Sequence, residues 1–359
     1  MAITAYGVND VQARKAWGKI VAREALRKTY IGQFIGEGDD SLIQQRNDLN
    51  KDKGDSVRLF LRMQLTGDGV QGDAILEGNE EALVTYADNI VINQIRHAAS
   101  AGGKMSRQRV PFDTRRECMD GLSDWAAERM DVSFFNQVCG YTAQSDTKFT
   151  GNNAAVAPTR ILRPNALTTD QAVNADATAK FTARMIDRAK VKATANEPGT
   201  PNIRPIKIKG RNKYVMFLHP FQVDQLRADF ATVGSWADVQ KAALMGGDAS
   251  NNPIYTGALG EWNDVILHEA HRVTNGVHSS SGAAQTSTRR AVLCGAQAAG
   301  IAFGQGFSFE KFDWVEELRD FENQLYVGGG AIFGLKKTVY NSSDFGTVVV
   351  STYSPDPNA

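Results

Sequence analysis

The stretch from Phe112 to Gly140, FDTRRECMDGLSDWAAERMDVSFFNQVCG, decides the fold. Thr114 followed by Glu117 has the spacing of a capping box, and Pro111 disfavours helix further back, so the spacing predicts a helix over 113–139. Cys118, Leu122, Trp125, Val132, Phe135 and Cys139 recur three and four apart as one apolar stripe, widened by Met119, Ala126, Met130 and Phe134. Gly140 supplies the stop. At about 1.5 Å per residue the rod is roughly 40 Å long, more than one brick of a compact domain needs. It reads as a spine.

Around it, 359 residues with 42% hydrophobic content can bury a core and allow two or three domains. Lys plus Arg and Asp plus Glu number 40 each, so no basic excess points to nucleic acid or an anionic membrane, and the expected partner is protein. Cys118, Cys139 and Cys294 form no CxxC, and two lie on the apolar face of the spine; buried, reduced thiols of a cytosolic product are expected. The N-terminus has no apolar leader core and no run of 18 apolar residues occurs, so neither secretion by that route nor a membrane span is expected.

Upstream of the spine, the pattern predicts a basic amphipathic helix from about Asp10 to Tyr30, with Trp17, Ile20, Val21, Ala25 and Leu26 near one side. Its cations include Arg14, Lys19 and Arg23, which suit a solvated face, a membrane surface, or an arm on a neighbouring subunit. The period then changes to 2: Val57, Leu59, Leu61, Met63 and Leu65 predict a strand whose mate is Leu83–Ile95. Between them, LTGDGVQGDAILEGNEEA is a long loop rich in glycine and acids, and arms of roughly ten residues at about 3.3 Å each predict a projecting hairpin.

Downstream, a polar stretch to about Asn174 predicts a linker near 141–175, followed by a helix around Phe181–Ala195. The block 176–305 reads as α/β. Tyr214–Leu218 is a wholly apolar strand, Pro220 opens a helix, a second helix is expected at Trp236–Leu244, and strands are expected at Val265–His268 and Ala291–Cys294. Phe307 and Phe309 share one strand phase and Phe312 and Trp314 the other, which predicts a bulge. Return strands at Gln324–Val327, Ala331–Val339 and Thr347–Tyr353 are expected to pack against the spine.

No constellation for catalysis emerges. His268 and His271 in HEAH are three apart in a strand-like segment, which sends them to opposite faces, whereas a zinc protease needs HExxH on a helix. Gly295–Gly300, GAQAAG, has the glycines of a phosphate loop, but Ile301 and Ala302 stand where Lys and Ser/Thr are needed; close packing behind a strand is the expected role. His219 beside Pro220 has no nearby nucleophile and reads as an end-of-strand histidine. No cofactor and no metal are expected.

The element order, a hairpin, a long spine, an α/β unit and a return to strands, resembles tailed-phage major capsid proteins of the Hong Kong 97-type fold. The run KGDSVRLF with its acidic loop looks like the extended loop of that α+β fold. YVMFLHPFQVDQLRAD, WADVQKAAL, NPIYTGALGEWNDVILHEAHRV, AVLCGAQAAGIAFG and KKTVYNSSDFG resemble the capsid family of short-tailed phages related to coliphage N-four. The resemblance implies an N-terminal arm (1–52), an extended hairpin loop (53–98), a peripheral domain with the spine and linker (99–175), an axial α/β domain (176–305) and peripheral return strands (306–359). It also implies an icosahedral shell of hexamers and pentamers, assembled in the host cytoplasm as a precursor and matured on DNA packaging. Scaffold, portal and decoration proteins would be its partners, packaged DNA would touch it non-specifically, and no membrane is involved. A cellular nanocompartment shell of the same fold and a cytosolic metal-dependent hydrolase are the other readings.

Charge is segregated along the chain. From Gln64 to Ile95 there are Asp68, Asp73, Glu77, Glu80, Glu81 and Asp88 and no Lys or Arg, whereas Arg96, Lys104, Arg107, Arg109, Arg115 and Arg116 precede the spine against Asp113 alone. The expectation is an intersubunit interface in which the acidic loop (Asp68, Asp73, Glu77, Glu80, Glu81) meets the basic region (Lys104, Arg107, Arg109, Arg115, Arg116) or the basic arm (Arg14, Lys19, Arg23) of a neighbour.

Overall fold

A computed structural model describes residues 11–47, 53–61, 69–73, 75–81, 86–144, 154–195, 201–208, 210–228, 259–305, 308 and 312–357, with 11–18 as backbone. The expected helix at Trp236–Leu244 and the phase change between Phe309 and Phe312 fall outside these residues. In chain order come α1 (Val11–Lys28), β1 (Ile35–Gly36), β2 (Ile43–Arg46), β3 (Ser56–Leu61), β4 (Tyr86–Val91), β5 (Asn93–Gly103), α2 (Lys104–Arg109) and α3 (Thr114–Val138). Then follow β6 (Ile161–Leu162), α4 (Asp170–Ala175), α5 (Ala183–Thr194), β7 (Ile206–Ile208), β8 (Arg211–Leu218), α6 (Pro220–Ala228), β9 (Gly260–Trp262) and β10 (Val265–Glu269). The rest is strand: β11 (Gly276–Val277), β12 (Ala284–Gln285), β13 (Thr288–Cys294), β14 (Ala299–Phe303), β15 (Asp313–Arg319), β16 (Gln324–Lys337), β17 (Val339–Tyr340), β18 (Ser343–Asp344) and β19 (Thr347–Tyr353).

Two sheets take the spine α3 between them. The first runs β1-β2-β14-β16-β15, with β5 also paired to β16; the second runs β6-β19-β13-β8-β10-β9, with β7 on β8. The helix, expected over 113–139, spans Thr114–Val138, and its N-cap is Asp113, not Thr114 of the capping-box pair; the Asp113 carboxylate accepts from Arg115 N at 3.0 Å. It ends on Gly140, whose φ of +60° lets Tyr141 N reach back to Asn136 O at 2.8 Å; a Cβ there would meet Val156 N at 2.7 Å. Cys118, Leu122, Met130, Phe134 and Phe135 join one core with Trp314 and Val327 of the first sheet and Phe217, Val292 and Val349 of the second. From Ser133 to Gly140 the segment is buried on every side, so the single expected stripe describes only the part before Ser133.

The middle of the second sheet is buried on both faces, which is why β8, β13 and β19 carry continuous apolar runs, Tyr214–Leu218, Ala291–Cys294 and Val348–Val350, rather than alternating. On β8, Val215 and Phe217 face the spine core, while Tyr214, Met216 and Leu218 face a second core closed by Met185, Ile186 and Ala189 of α5 and Val223 and Leu226 of α6. Strands β8 and β10 run parallel, and β13 and β19 are antiparallel neighbours over seven residue pairs, Thr288↔Tyr353 to Cys294↔Thr347.

Several expectations are corrected. The strand Thr347–Tyr353 reaches the spine core through Val349, as expected of the return strands, but it does so from the second sheet, paired with β13 and β6, and not from the first. The two strands expected on either side of Gly328–Gly330 are one, β16, hydrogen-bonded to β15 and to β5. Glycine keeps that ladder intact, since a Cβ at Gly330 would lie 2.7 Å from both Ile95 O and the Arg96 side chain. The stretch read as a linker contains β6 and α4 and is tied down by a buried carboxylate, Asp170. The small-residue run after β13 carries the chain from the second sheet into the first: Gly295 abuts Arg204 O and Gly300 abuts Leu59 and Ile90, each closer than a Cβ allows.

The hairpin pairs β3 with β4, Ser56↔Val91 to Leu61↔Tyr86. Val57, Leu59 and Leu61 are buried with Ile90, Ala302 and Phe345, while Ser56, Arg58 and Phe60 are exposed. The alternation read from sequence is therefore the alternation of burial at the hairpin's base.

Candidate intersubunit surfaces

Docking of the N-terminal segment comes first, because it decides which cations face outward. Val21, Ala22 and Ala25 of α1 are buried in the spine core. At its end, the buried Asp131 of α3 accepts from Tyr30 N at 3.0 Å and Ile31 N at 3.1 Å. Burial pushes the Asp131 carboxyl up and also raises the Tyr30 hydroxyl, which the negative Asp131 nearby lifts further. Lys28 Nζ lies 2.7 Å from Asp124 and 2.9 Å from Ser123 Oγ. This helix thus packs on its own spine, and Lys19 and Arg23 stand on its exposed side. The Arg14 side chain is outside the described residues.

The basic region divides on inspection. Arg115 Nε donates to Glu316 Oε1 of β15 at 2.8 Å, and Glu316 is buried, so this cation is committed within the chain and leaves the expected set. Arg107 donates to Asn323 O at 3.2 Å and is half-buried. Lys104, Arg109 and Arg116 are exposed, with Lys104 N donating to Asn323 Oδ1 at 3.1 Å.

The acidic loop places Asp73, Glu77, Glu80 and Glu81 in water. Asp68 lies outside the described residues. The loop closes on itself at 75–80: Asn79 N donates to Leu76 O and Asn79 Nδ2 to Ile75 O, both at 2.9 Å, and Gly78 N donates to Glu80 Oε2 at 2.8 Å. Gly69, Gly72 and Gly78 take positive φ, which explains the glycine density there.

The residues weighed for chemistry have structural partners. His268 ends in a buried position with its ring edge-on to Phe34 at 5.2 Å, and burial lowers its pKa; His271 lies in the turn after β10. His219 accepts from Phe221 N at its Nδ1 (3.2 Å) where β8 meets α6, and burial, with Arg289 nearby, brings its pKa down to about 4. Among the described residues no group of three or more His, Cys, Asp or Glu is placed to hold a metal. The three cysteines are free and buried, and burial raises each thiol.

Sequence reasoning missed a buried ionic cluster at the end of the spine. Asp170 Oδ2 accepts from Arg290 Nε (2.9 Å) and NH2 (2.7 Å) and from Val277 N (3.1 Å), and its Oδ1 accepts from Arg163 Nε at 2.8 Å. Arg290 NH1 also donates to the spine's terminal carbonyls, Cys139 O at 3.0 Å and Gly140 O at 2.8 Å. Lys337, wholly buried, pairs with Asp344 at 2.9 Å and donates to Ala155 O at 2.7 Å. Nothing local signals the Arg290–Asp170 pair, whose members are 120 residues apart, and the Lys337–Asp344 and Arg163–Asp170 pairs do not have the i,i+3 or i,i+4 spacing that marks a helix pair.

The described residues form two sheets and a spine locked by buried ion pairs, with charged side chains outside. The family model of a phage capsid protein matches residues 5–356, and the chain belongs to that family. It is 29% identical over 369 residues to the major capsid protein of Pseudomonas phage KPP25, covering 94% of each. The capsid of Ralstonia phage GP4 superposes with a TM-score of 0.80 at 34% identity over 100% of both chains. The capsid asymmetric unit of cyanophage Pam1, at 22% identity over 92% of this chain and 93% of its own and a TM-score of 0.69, shares the fold. The fold is thus the Hong Kong 97-type α+β capsid fold, and the function is that of a phage major capsid protein, structural rather than enzymatic.

Proposed function

We propose that copies of this chain close into hexameric and pentameric capsomers of an icosahedral shell by laying the acidic loop of one copy across the basic region, or the exposed face of α1, of the next. The observation that carries this is the segregation of exposed charge: Asp73, Glu77, Glu80 and Glu81 on the loop, Lys104 and Arg109 on α2 and Arg116 at the start of α3, with Lys19 and Arg23 on α1. Each exposed pair contributes about 0 to 1 kcal/mol, so the arrangement steers register through repetition rather than through any single contact. In this reading 1–52 is an arm, 53–98 the extended loop, 99–175 and 306–359 peripheral, and 176–305 axial. The motif resemblance supports a place beside the short-tailed phages related to coliphage N-four. Assembly would take place in the host cytoplasm with scaffold and portal proteins, with decoration proteins as further partners and non-specific contact with packaged DNA inside.

The test is charge reversal. Glu77→Lys, Glu80→Lys and Glu81→Lys together should impair assembly in sedimentation without lowering the thermal midpoint of the subunit. Adding Arg107→Glu, Arg109→Glu and Arg116→Glu should partly restore it. Normal shells from the triple lysine variant, with unchanged salt sensitivity, contradict the proposal.

A further inference from the structure

Two cations and one carboxylate meet in a cleft of about 340 Å³ where the spine ends, bounded by Gly140, the segment before α4 and the turn between β11 and β12. Asp170 is the one acid among the described residues that line it. Its charge is already shared: Oδ2 accepts from Arg290 Nε, Arg290 NH2 and Val277 N, and Oδ1 accepts from Arg163 Nε. Arg290 places the rest of its guanidinium on Cys139 O and Gly140 O. The Arg163 side chain is only 15% exposed, yet beyond Nε it has no partner among the described residues, so NH1 and NH2 remain for a ligand. The cleft therefore carries one positive charge in excess, on a guanidinium largely withdrawn from water, where an anion is held more strongly than on an open surface.

Neutral donors line other walls of the cleft. His278 Nδ1 accepts from Ser280 N and Ser281 N, both at 3.2 Å, which puts the ring proton of the neutral form on Nε2. Ser279 Oγ accepts from Gln171 Nε2 at 2.8 Å and keeps its own proton to donate. Thr142 and Thr168 add hydroxyls from just past the spine and from the segment before α4. A planar carboxylate takes donors in its own plane, whereas donors on three separate segments suit a tetrahedral group with oxygens on every side. The volume also leaves room beyond an inorganic ion for an ester substituent against Val156, Pro158 and Ile161.

We propose that this cleft binds a phosphate group, as the free ion or as a phosphate ester, with Arg163 NH1 and NH2 taking two of its oxygens and His278 Nε2 and the hydroxyls closing on the others. Asp170 does not touch the ligand; it fixes the plane of Arg163 through Nε, while Arg290 offsets its charge. The occupant bridges segments far apart in sequence, at 140–142, 163–168 and 278–279, and so fastens the end of the spine to the β11–β12 turn. The site is independent of how copies of the chain contact one another.

The test is equilibrium dialysis of the full chain against radiolabelled inorganic phosphate at an ionic strength held constant with sodium chloride. One phosphate per chain should bind saturably, with half-saturation below about 10 mM, and phosphate should raise the thermal midpoint. Arg163→Lys keeps a cation for Asp170 but loses the fork, and should weaken binding about tenfold with little change in the midpoint measured without phosphate. His278→Asn keeps an acceptor for Ser280 N and Ser281 N but lacks Nε2, and should weaken binding severalfold. Thymidine 5′-monophosphate as competitor separates the sources: displacement of the label assigns the site to esters as well as the free ion, and failure to displace it assigns the site to the free ion. Equal displacement by acetate at the same concentration overturns the choice of phosphate over carboxylate. Absence of saturable binding, or binding that neither variant weakens, overturns the site itself.

Discussion

Replacing Arg290 by methionine tests the lock at the end of the spine. The substitution keeps much of the aliphatic volume but removes the guanidinium that donates twice to Asp170 Oδ2 and once each to Cys139 O and Gly140 O. Asp170, buried with no exposed side-chain surface, is left with Arg163 and Val277 N. Breaking a buried pair by removing one partner costs about 3 to 5 kcal/mol, since the remaining charge stays desolvated. Burial alone would push the Asp170 carboxyl up, but Arg290 and then Arg163 outweigh it and hold it below the usual range. A carboxyl depressed in the folded state contributes stability that is present above its unfolded pKa, near 4, and lost as pH falls through the folded value. The loss in Arg290→Met, read by urea unfolding with tryptophan fluorescence, should therefore be largest at pH 7 and shrink on acidification below about pH 4, as Asp170 protonates in both proteins. A loss under about 1 kcal/mol at pH 7, or one that grows with acid, refutes the reasoning.

Gly334→Ala should destabilise by about 1 to 3 kcal/mol, because its Cβ would lie within bonding-clash range of the Val91 carbonyl where β16 passes β4, whereas Gly328→Ala, whose nearest neighbour is 3.7 Å away, should be close to neutral in thermal midpoint. His268→Ala with His271→Ala should leave assembly intact at a packing cost of about 1 to 2 kcal/mol; stoichiometric bound zinc lost in that variant would overturn the structural assignment. His219 stays neutral in the fold down to about pH 4, so unfolding takes up a proton between its ordinary pKa of 6.5 and that value. Stability should accordingly fall as pH drops through that window, and His219→Asn should flatten the fall.

What could be read from the sequence was whatever local periodicity carries. The spine, the β3–β4 hairpin with its alternating burial, the apolar strand Tyr214–Leu218 and the segregated charge all depend on neighbours within a few residues. What escaped depends on distant partners. The transfer between sheets after Cys294 is set by glycines that admit Arg204 and Ile90, and nothing in GAQAAG names those neighbours. Polar composition made 141–175 look like a linker, although Asp170 there anchors two arginines. Arg115 looked like one more surface cation until Glu316, 201 residues away, claimed it. Gly328–Gly330 looked like a break because turn-forming residues also serve where another backbone or side chain must pass close.

The measurement that tests the account most directly is cryo-electron microscopy of the assembled protein, solved to side-chain detail. The account predicts closed icosahedral shells in which the acidic turn at 75–80 of each subunit lies across the basic region at Lys104, Arg109 and Arg116, or the exposed face of α1, of a neighbour. Shells in which that turn stands free in solvent, or lies on another surface of the neighbour, contradict it.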